Sequence, residues 1–253
     1  MSSDLPVVFS SGSCRLVTTI HDGRGKMRPL HSMFHNFVGV NFVTKLHTAH
    51  QHVQFIQHIL GLREIPEEDL AHFFTVHSHW RQNHCHWPVP ELHRIPDIMR
   101  AMSSGFKDAD VYIFEICSIK QYISQRGTHM QIECLPSGTD IKDAVDCTKA
   151  ELLEQLRIMR ELIPEGKPIL LMLPFGVDGI PSRELIRDAL LEAKATLHNV
   201  HILDPNVVIS RYGWEVMLCD PLHFSGVGHQ KFFEYIMEMC NDVLHVSGKN
   251  KSS

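Results

Sequence analysis

Apolar residues along the chain follow two patterns, short unbroken runs and a helical repeat. Residues 6–10, 111–114, 168–174 and 200–203 are runs dominated by Val, Ile, Leu, Phe and Tyr, which predict buried strands. The run 168–174 (PILLMLP) is apolar throughout, as a central parallel strand covered on both faces must be. A weaker run, Phe37-Val38-Gly39-Val40, predicts a second strand. Over 48–60, Val53, Phe55, Ile56, Ile59 and Leu60 recur at helical spacing, and Gly61 supplies a stop. Thr148-Lys149-Ala150-Glu151 has the form of a capping box opening a helix to about Leu162, with Leu152, Leu153, Leu156, Ile158 and Met159 on its apolar face. Amphipathic helices are predicted over 182–197 and 227–244, with a disordered polar tail over 247–253.

Strands alternating with helices predict an α/β fold, a parallel sheet of about five strands with helices on both faces, in one domain over 1–246. Three stretches break the rhythm. Residues 21–28 (HDGRGKMR) are polar and glycine-rich and predict a loop, and a polar stretch follows Ser118, with Gly127 and Pro136. Residues 62–100 hold four prolines and the cluster His77-Ser78-His79-Trp80 to His84-Cys85-His86-Trp87. They are expected to form an irregular insertion or lid, its tryptophans packed over the sheet edge.

Composition narrows the partners. Of 253 residues 43% are apolar and 21% charged, and the net charge of -5 gives no support for non-specific nucleic-acid or membrane binding. Seven scattered cysteines, an odd number without a CxxC pair, are expected to be reduced thiols. The first residues carry no secretory signal pattern and no run is long enough to span a bilayer, so a cytoplasmic protein is expected.

Candidate chemistry lies at the two ends. Val7 to Phe9 lead through Ser10-Ser11-Gly12 to Ser13-Cys14-Arg15 at the start of a brief helix. Such a turn presents a thiol at the carboxyl edge of a sheet, where open α/β sheets place their chemistry, and a helix N-terminus favours the thiolate. Near the other end, Asp220-Pro221-Leu222-His223 precedes the last helix. An Asp three residues ahead of a His can hold one imidazole nitrogen and leave the other as a base, the orienter-plus-base half of a nucleophilic triad.

Taken together, these blocks resemble the SGNH (GDSL-type) hydrolase superfamily. Its last block is Asp-x-x-His before a terminal helix, matched by Asp220, His223, Gly228 and His229. Its first is an apolar strand followed by Gly-Asp-Ser, and Gly12-Ser13-Cys14 puts Cys14 where the family has its serine. Gly-x-Cys versions occur in the GSCFA group and in proteins proposed to acetylate capsular polysaccharide. The resemblance implies a three-layer α/β/α fold of flavodoxin-like strand order. It also implies an acyltransferase or esterase in which His223, oriented by Asp220, activates Cys14 against an ester or thioester of a carbohydrate or small metabolite. No cofactor is implied beyond an acyl donor such as acyl-CoA.

Two blocks of the family depart from pattern. Its oxyanion donors, a glycine after the second strand and the asparagine of Gly-x-Asn-Asp after the third, are not present as such. Gly39, Asn41 and His47 to His50 follow the expected second strand, and Glu115-Ile116-Cys117-Ser118 follows the third. An oxyanion donor contributes about 10²–10³ in rate. The further candidates for oxyanion or substrate contacts are therefore Ser13, Arg15, Asn41, His47, Glu115 and Cys117, with Arg15 suited to an anionic group. Glu115, at a strand end, is a candidate carboxylate buried beside the site, a setting that can raise a pKa, although the sequence does not show such a shift here. Two other readings of the chain are an inactive SGNH-fold binding domain and a histidine-rich metal-binding protein. No spacing in the histidine cluster matches a regular zinc site, and no metal ligands are assigned.

Overall fold

A computed structural model describes residues 6–13, 15–16, 19–20, 28–29, 46–73, 95–130, 141–176, 179–221 and 223–249. The chain is a mixed α/β protein organised on a parallel sheet. Four strands make up its body: β1 (Val7–Ser11), β3 (Val111–Glu115), β7 (Ile169–Met172) and β8 (Val200–Leu203). The two-residue β2 (Arg28–Pro29) bridges onto the outer edge of β1, giving the order β2-β1-β3-β7-β8 with every pair parallel. β2 includes Arg28, the end of the expected loop, whereas the expected strand at 37–40 lies outside the described residues.

Side chains alternate across the sheet with the two-residue period of a strand. Phe9, Tyr112, Phe114, Ile169 and Leu171 face one way, into a core with helices α1 (Ala49–Ile59), α3 (Ile95–Asp108), α4 (Lys149–Leu162) and α5 (Pro181–Thr196). Val8, Val111, Ile113, Leu170 and Met172 face the other, against Leu16, Ile20, Val208 of α6 (Pro205–Tyr212) and Phe232, Ile236 and Cys240 of α8 (Gly226–Lys249). Burial on both sides explains why β3 and β7 carry no polar alternation. Each fully buried aliphatic or aromatic side chain contributes about 1.5–3 kcal/mol.

At the amino ends of the strands Asp110 is the shared tie. Its carboxylate accepts the Val7 N–H at 2.9 Å and pairs with Lys167 at 3.2 Å, while its own N–H donates to the Val7 carbonyl. The tie fixes the register of β1 and β3, and so the level at which their carboxyl ends emerge. α4 starts as expected, with a reciprocal capping box between Thr148 and Glu151. α8 continues to Lys249, past the point where a disordered tail is expected.

Two regions differ from expectation. Of the 62–100 insertion, residues 62–66 are irregular, and residues 67–73 and 95–100 are helical, in α2 (Glu67–Phe73) and the start of α3. Ile95, Ile98, Met99, Met102 and Phe106 have helical spacing, and Pro96 is harmless in a first turn that needs no N–H from it. The histidine cluster at 77–86 lies outside the described residues. The polar stretch after Ser118 forms a second, antiparallel sheet of β4 (Lys120–Ser124), β5 (His129–Met130) and β6 (Ile141–Asp146). Beside Met130, its buried positions include the polar Gln121, Ser124 and Thr128, and Ser124 donates to buried Asp69 at 2.9 Å. Buried polar residues of this kind leave no apolar period in the sequence. Gln51 and Gln54 of α1 clamp this sheet through the Met130 and His129 carbonyls.

Among the described residues no helix is long and apolar enough to cross a membrane.

Candidate functional site

β1 is followed by Gly12 and a bend at Ser13, and beyond it Arg15, Leu16, Thr19 and Ile20 are helical. Gly12 allows that bend, because a Cβ there would stand 2.6 Å from Glu115 Cβ. Glu115, the last residue of the neighbouring β3, reaches across into the gap. Its carboxylate accepts the Ser13 N–H at 2.9 Å, the Ser13 hydroxyl at 2.6 Å, Arg15 Nε at 2.6 Å and the Leu16 N–H at 3.4 Å. The start of the helical turn is therefore capped by a carboxylate from another strand, the charge that a helix N-terminus favours.

Glu115 is only 2% exposed. Burial alone would raise its pKa, but the Arg15 charge, the Ser13 hydroxyl, nearby His47 and the Ser13 N–H together hold it below the ordinary carboxylate value. Glu115 is an ionised anchor, and its groups and those of Ser13 are engaged with each other. His52 of α1, fully buried, sets its Nε2 3.1 Å from the Glu115 carbonyl. Cys14 lies between Ser13 and Arg15 but is outside the described residues, as is Asn41.

The rest of the edge comes from the two ends of the fold. After β7 the chain passes through Phe175 and Gly176. The Arg15 guanidinium lies 5.3 Å from the centre of the Phe175 ring, and Phe175 packs on Phe224 at 4.9 Å. Phe224 follows His223 in β10 (His223–Phe224), which pairs antiparallel with β9 (Leu218–Asp220). In this hairpin both Asp220 oxygens approach His223 Nδ1, at 3.0 and 2.8 Å, and Oδ1 also accepts the His223 N–H at 2.9 Å. One carboxylate thus fixes both the backbone and the ring of the histidine, and directs the Nε2 side away from itself. The pair is about half exposed, so a partner can reach it. Gly228, in the first turn of α8, is needed because a Cβ would strike the Met217 carbonyl.

The remaining expected contacts divide. The His47 carbonyl accepts the N–H groups of Cys117 and Ser118 at 3.0 and 3.1 Å, which joins the start of α1 to the end of β3. That bond commits the Cys117 backbone donor. Sequence reading missed Arg183. It sits in the first turn of α5 and donates from one Nη to the Phe175 and Gly176 carbonyls, both at 2.9 Å. Its signal is weak, a single arginine behind a glycine- and proline-rich loop. Sequence reading also missed Thr19, whose hydroxyl lies 2.7 Å from His229 Nδ1.

The arrangement thus offers an oriented imidazole, a helical turn beginning beside a thiol-bearing residue, and two arginines along one edge. Among the described residues no group of three or more His, Cys, Asp or Glu side chains is placed to hold a metal ion. A scan against protein-family models and a search of the curated proteins find no match for the chain.

Proposed function

We propose that the chain is an SGNH-like acyl-group enzyme, an acyltransferase or esterase with Cys14 as nucleophile, Asp220 as orienter and His223 as base. The observation that carries this reading is the Asp220–His223 pair, with Nδ1 held by the carboxylate on the same sheet edge as the Ser13–Arg15 turn. His223 Nε2 takes the Cys14 thiol proton, and the thiolate attacks the carbonyl of an ester or thioester. Collapse of the tetrahedral intermediate expels the alcohol or thiol, which leaves with the proton from His223. The resulting thioester on Cys14 passes its acyl group to water or to an acceptor hydroxyl deprotonated by the same imidazole. No cofactor is required beyond an acyl donor such as acyl-CoA, and the acceptor is a carbohydrate or small metabolite. The same reading takes residues 1–246 as one domain of three-layer, five-stranded, flavodoxin-like type, with β2 as the strand beside β1.

An inactive binding domain of the same fold is the second reading, favoured by the Cys117 N–H being bonded to the His47 carbonyl, where the family places an oxyanion donor. A panel of short-chain esters and thioesters separates the two. Turnover that falls at least about 10²-fold in Cys14→Ala and Asp220→Asn supports the enzyme, and turnover that Cys14→Ala leaves intact refutes it.

A further inference from the structure

The outermost strand of the small antiparallel sheet has a neighbour on one side only. In the order β5-β4-β6, β6 (Ile141–Asp146) bonds to β4 along one edge and turns the other outward. Every residue from Lys142 to Asp146 is exposed, so both faces of the strand meet solvent as well as its edge. The side chains of Lys142, Asp143 and Asp146 have no hydrogen-bond or ion-pair partner among the described residues. An antiparallel strand with one neighbour points the N–H and C=O of every second residue away from it. Such a row is a template for another strand, and no proline or glycine in β6 (IKDAVD) interrupts it.

The order of charges along β6 decides what fits there. Edge strands commonly carry charges that keep other strands away. Those of β6 have both signs, and they complement themselves. Two copies paired antiparallel about a twofold axis match residue i to j and j to i. The register in which the five exposed residues pair among themselves has its axis at Ala144. It sets Lys142 of each copy opposite Asp146 of the other, on one face, with Ala144 against Ala144 between the two pairs. Asp143 and Val145 lie opposite each other on the second face. Within its own sheet Asp146 already has Lys120 opposite, so it would stand between two lysines. An axis at Lys142 or at Asp143 sets two like charges face to face, and one midway between Ala144 and Val145 opposes Asp143 and Asp146. Like charges directly opposite destabilise a strand pair.

We propose that β6 is a self-association edge, through which two copies of the chain join their small sheets by antiparallel pairing centred on Ala144. The pairing of one short strand is small beside a standard interface, so the dimer is weak, with a Kd on the order of 10–100 μM. It uses none of the residues assigned to the acyl-group site and stands apart from that reading.

The test is sedimentation equilibrium of the full chain from ~1 to ~300 μM at low ionic strength. The wild type is expected to pass from monomer to dimer across that range. Lys142→Asp and Asp146→Lys each place two like-charge pairs in the ribbon, and each is expected to weaken dimerisation about tenfold or more. The double variant Lys142→Asp/Asp146→Lys is complementary again and is expected to dimerise as the wild type does. An equimolar mixture of the two single variants is complementary too and is expected to associate. Recovery in the double variant and in the mixture separates the loss of pairing from misfolding, which thermal melts of each variant also report. A wild type that stays monomeric at ~300 μM, a dimer that neither single variant weakens, or folded singles whose loss neither the double variant nor the mixture restores overturns the proposal.

Discussion

Thr19 and His229, 210 residues apart in sequence, meet side chain to side chain, with Thr19 Oγ1 2.7 Å from His229 Nδ1. The hydroxyl also donates to the Arg15 carbonyl at 2.7 Å, so its one proton is used there and the imidazole donates to the oxygen. This contact joins the turn that follows Cys14 to the first turn of α8, which follows His223. Thr19→Val keeps the shape and removes the oxygen. It is expected to cost about 1–3 kcal/mol, read as a lower denaturant midpoint with unchanged slope. An unchanged midpoint means the two blocks are held together elsewhere.

Glu115 is the second tie. Glu115→Gln removes the charge that faces Arg15 and presents an amide donor where four donors already converge. Breaking a buried ion pair on one side costs about 3–5 kcal/mol. The variant is expected to lose that much in chemical denaturation, and a loss below about 1 kcal/mol would show that Arg15 reaches solvent without penalty.

Acid should loosen the face formed by α1 and the small sheet. His52 and His129 are both held down to about 4, chiefly by burial, with His47 adding to the effect at His52 and His50 and Arg63 at His129. His50, stacked on His129 at 4.7 Å, is lowered by burial too, although Glu151 works against it. The unfolded chain protonates His52 and His129 near 6.5 and the folded chain only near 4. Between those values the unfolded state binds more protons, so stability is full above about 6.5 and falls as pH drops. Each imidazole contributes up to about 1.4 kcal/mol per pH unit within that window. Glu115, whose folded pKa is also depressed, adds stability that is lost only at lower pH, below the ordinary carboxylate value. Unfolding free energies measured from pH 7 to 4.5 check this, and a flat profile contradicts it.

How far the sequence reveals all this depends on what each residue is buried against. β3, β7 and the capped helix α4 are legible because apolar burial and a reciprocal cap leave marks in the local pattern. The antiparallel sheet is not, since Gln121 and Ser124 are buried there, Ser124 on Asp69, and no apolar period results. α3 is hidden by Pro96, whose place in a first turn is visible only once the helix start is known. At the site, Asp220 and His223 are local and therefore legible. The Glu115 clamp on Ser13 and Arg15, about 100 residues away, depends on β1 and β3 being neighbours. Arg183 depends on the position of the loop after β7, which no local pattern encodes.

The central claim is that Cys14 is an activated nucleophile served by His223, and its alkylation rate as a function of pH tests this most directly. The chain carries its own controls, because burial pushes the Cys147 thiol up to about 11 and the Cys240 thiol up to about 12, while Cys219 is exposed. The account predicts that iodoacetamide modifies Cys14 ahead of all three, with a midpoint below the ordinary ~8.5 of a free thiol, and that His223→Ala slows the reaction near neutral pH. Labelling of Cys14 no faster than Cys219, unchanged by His223→Ala, would contradict it.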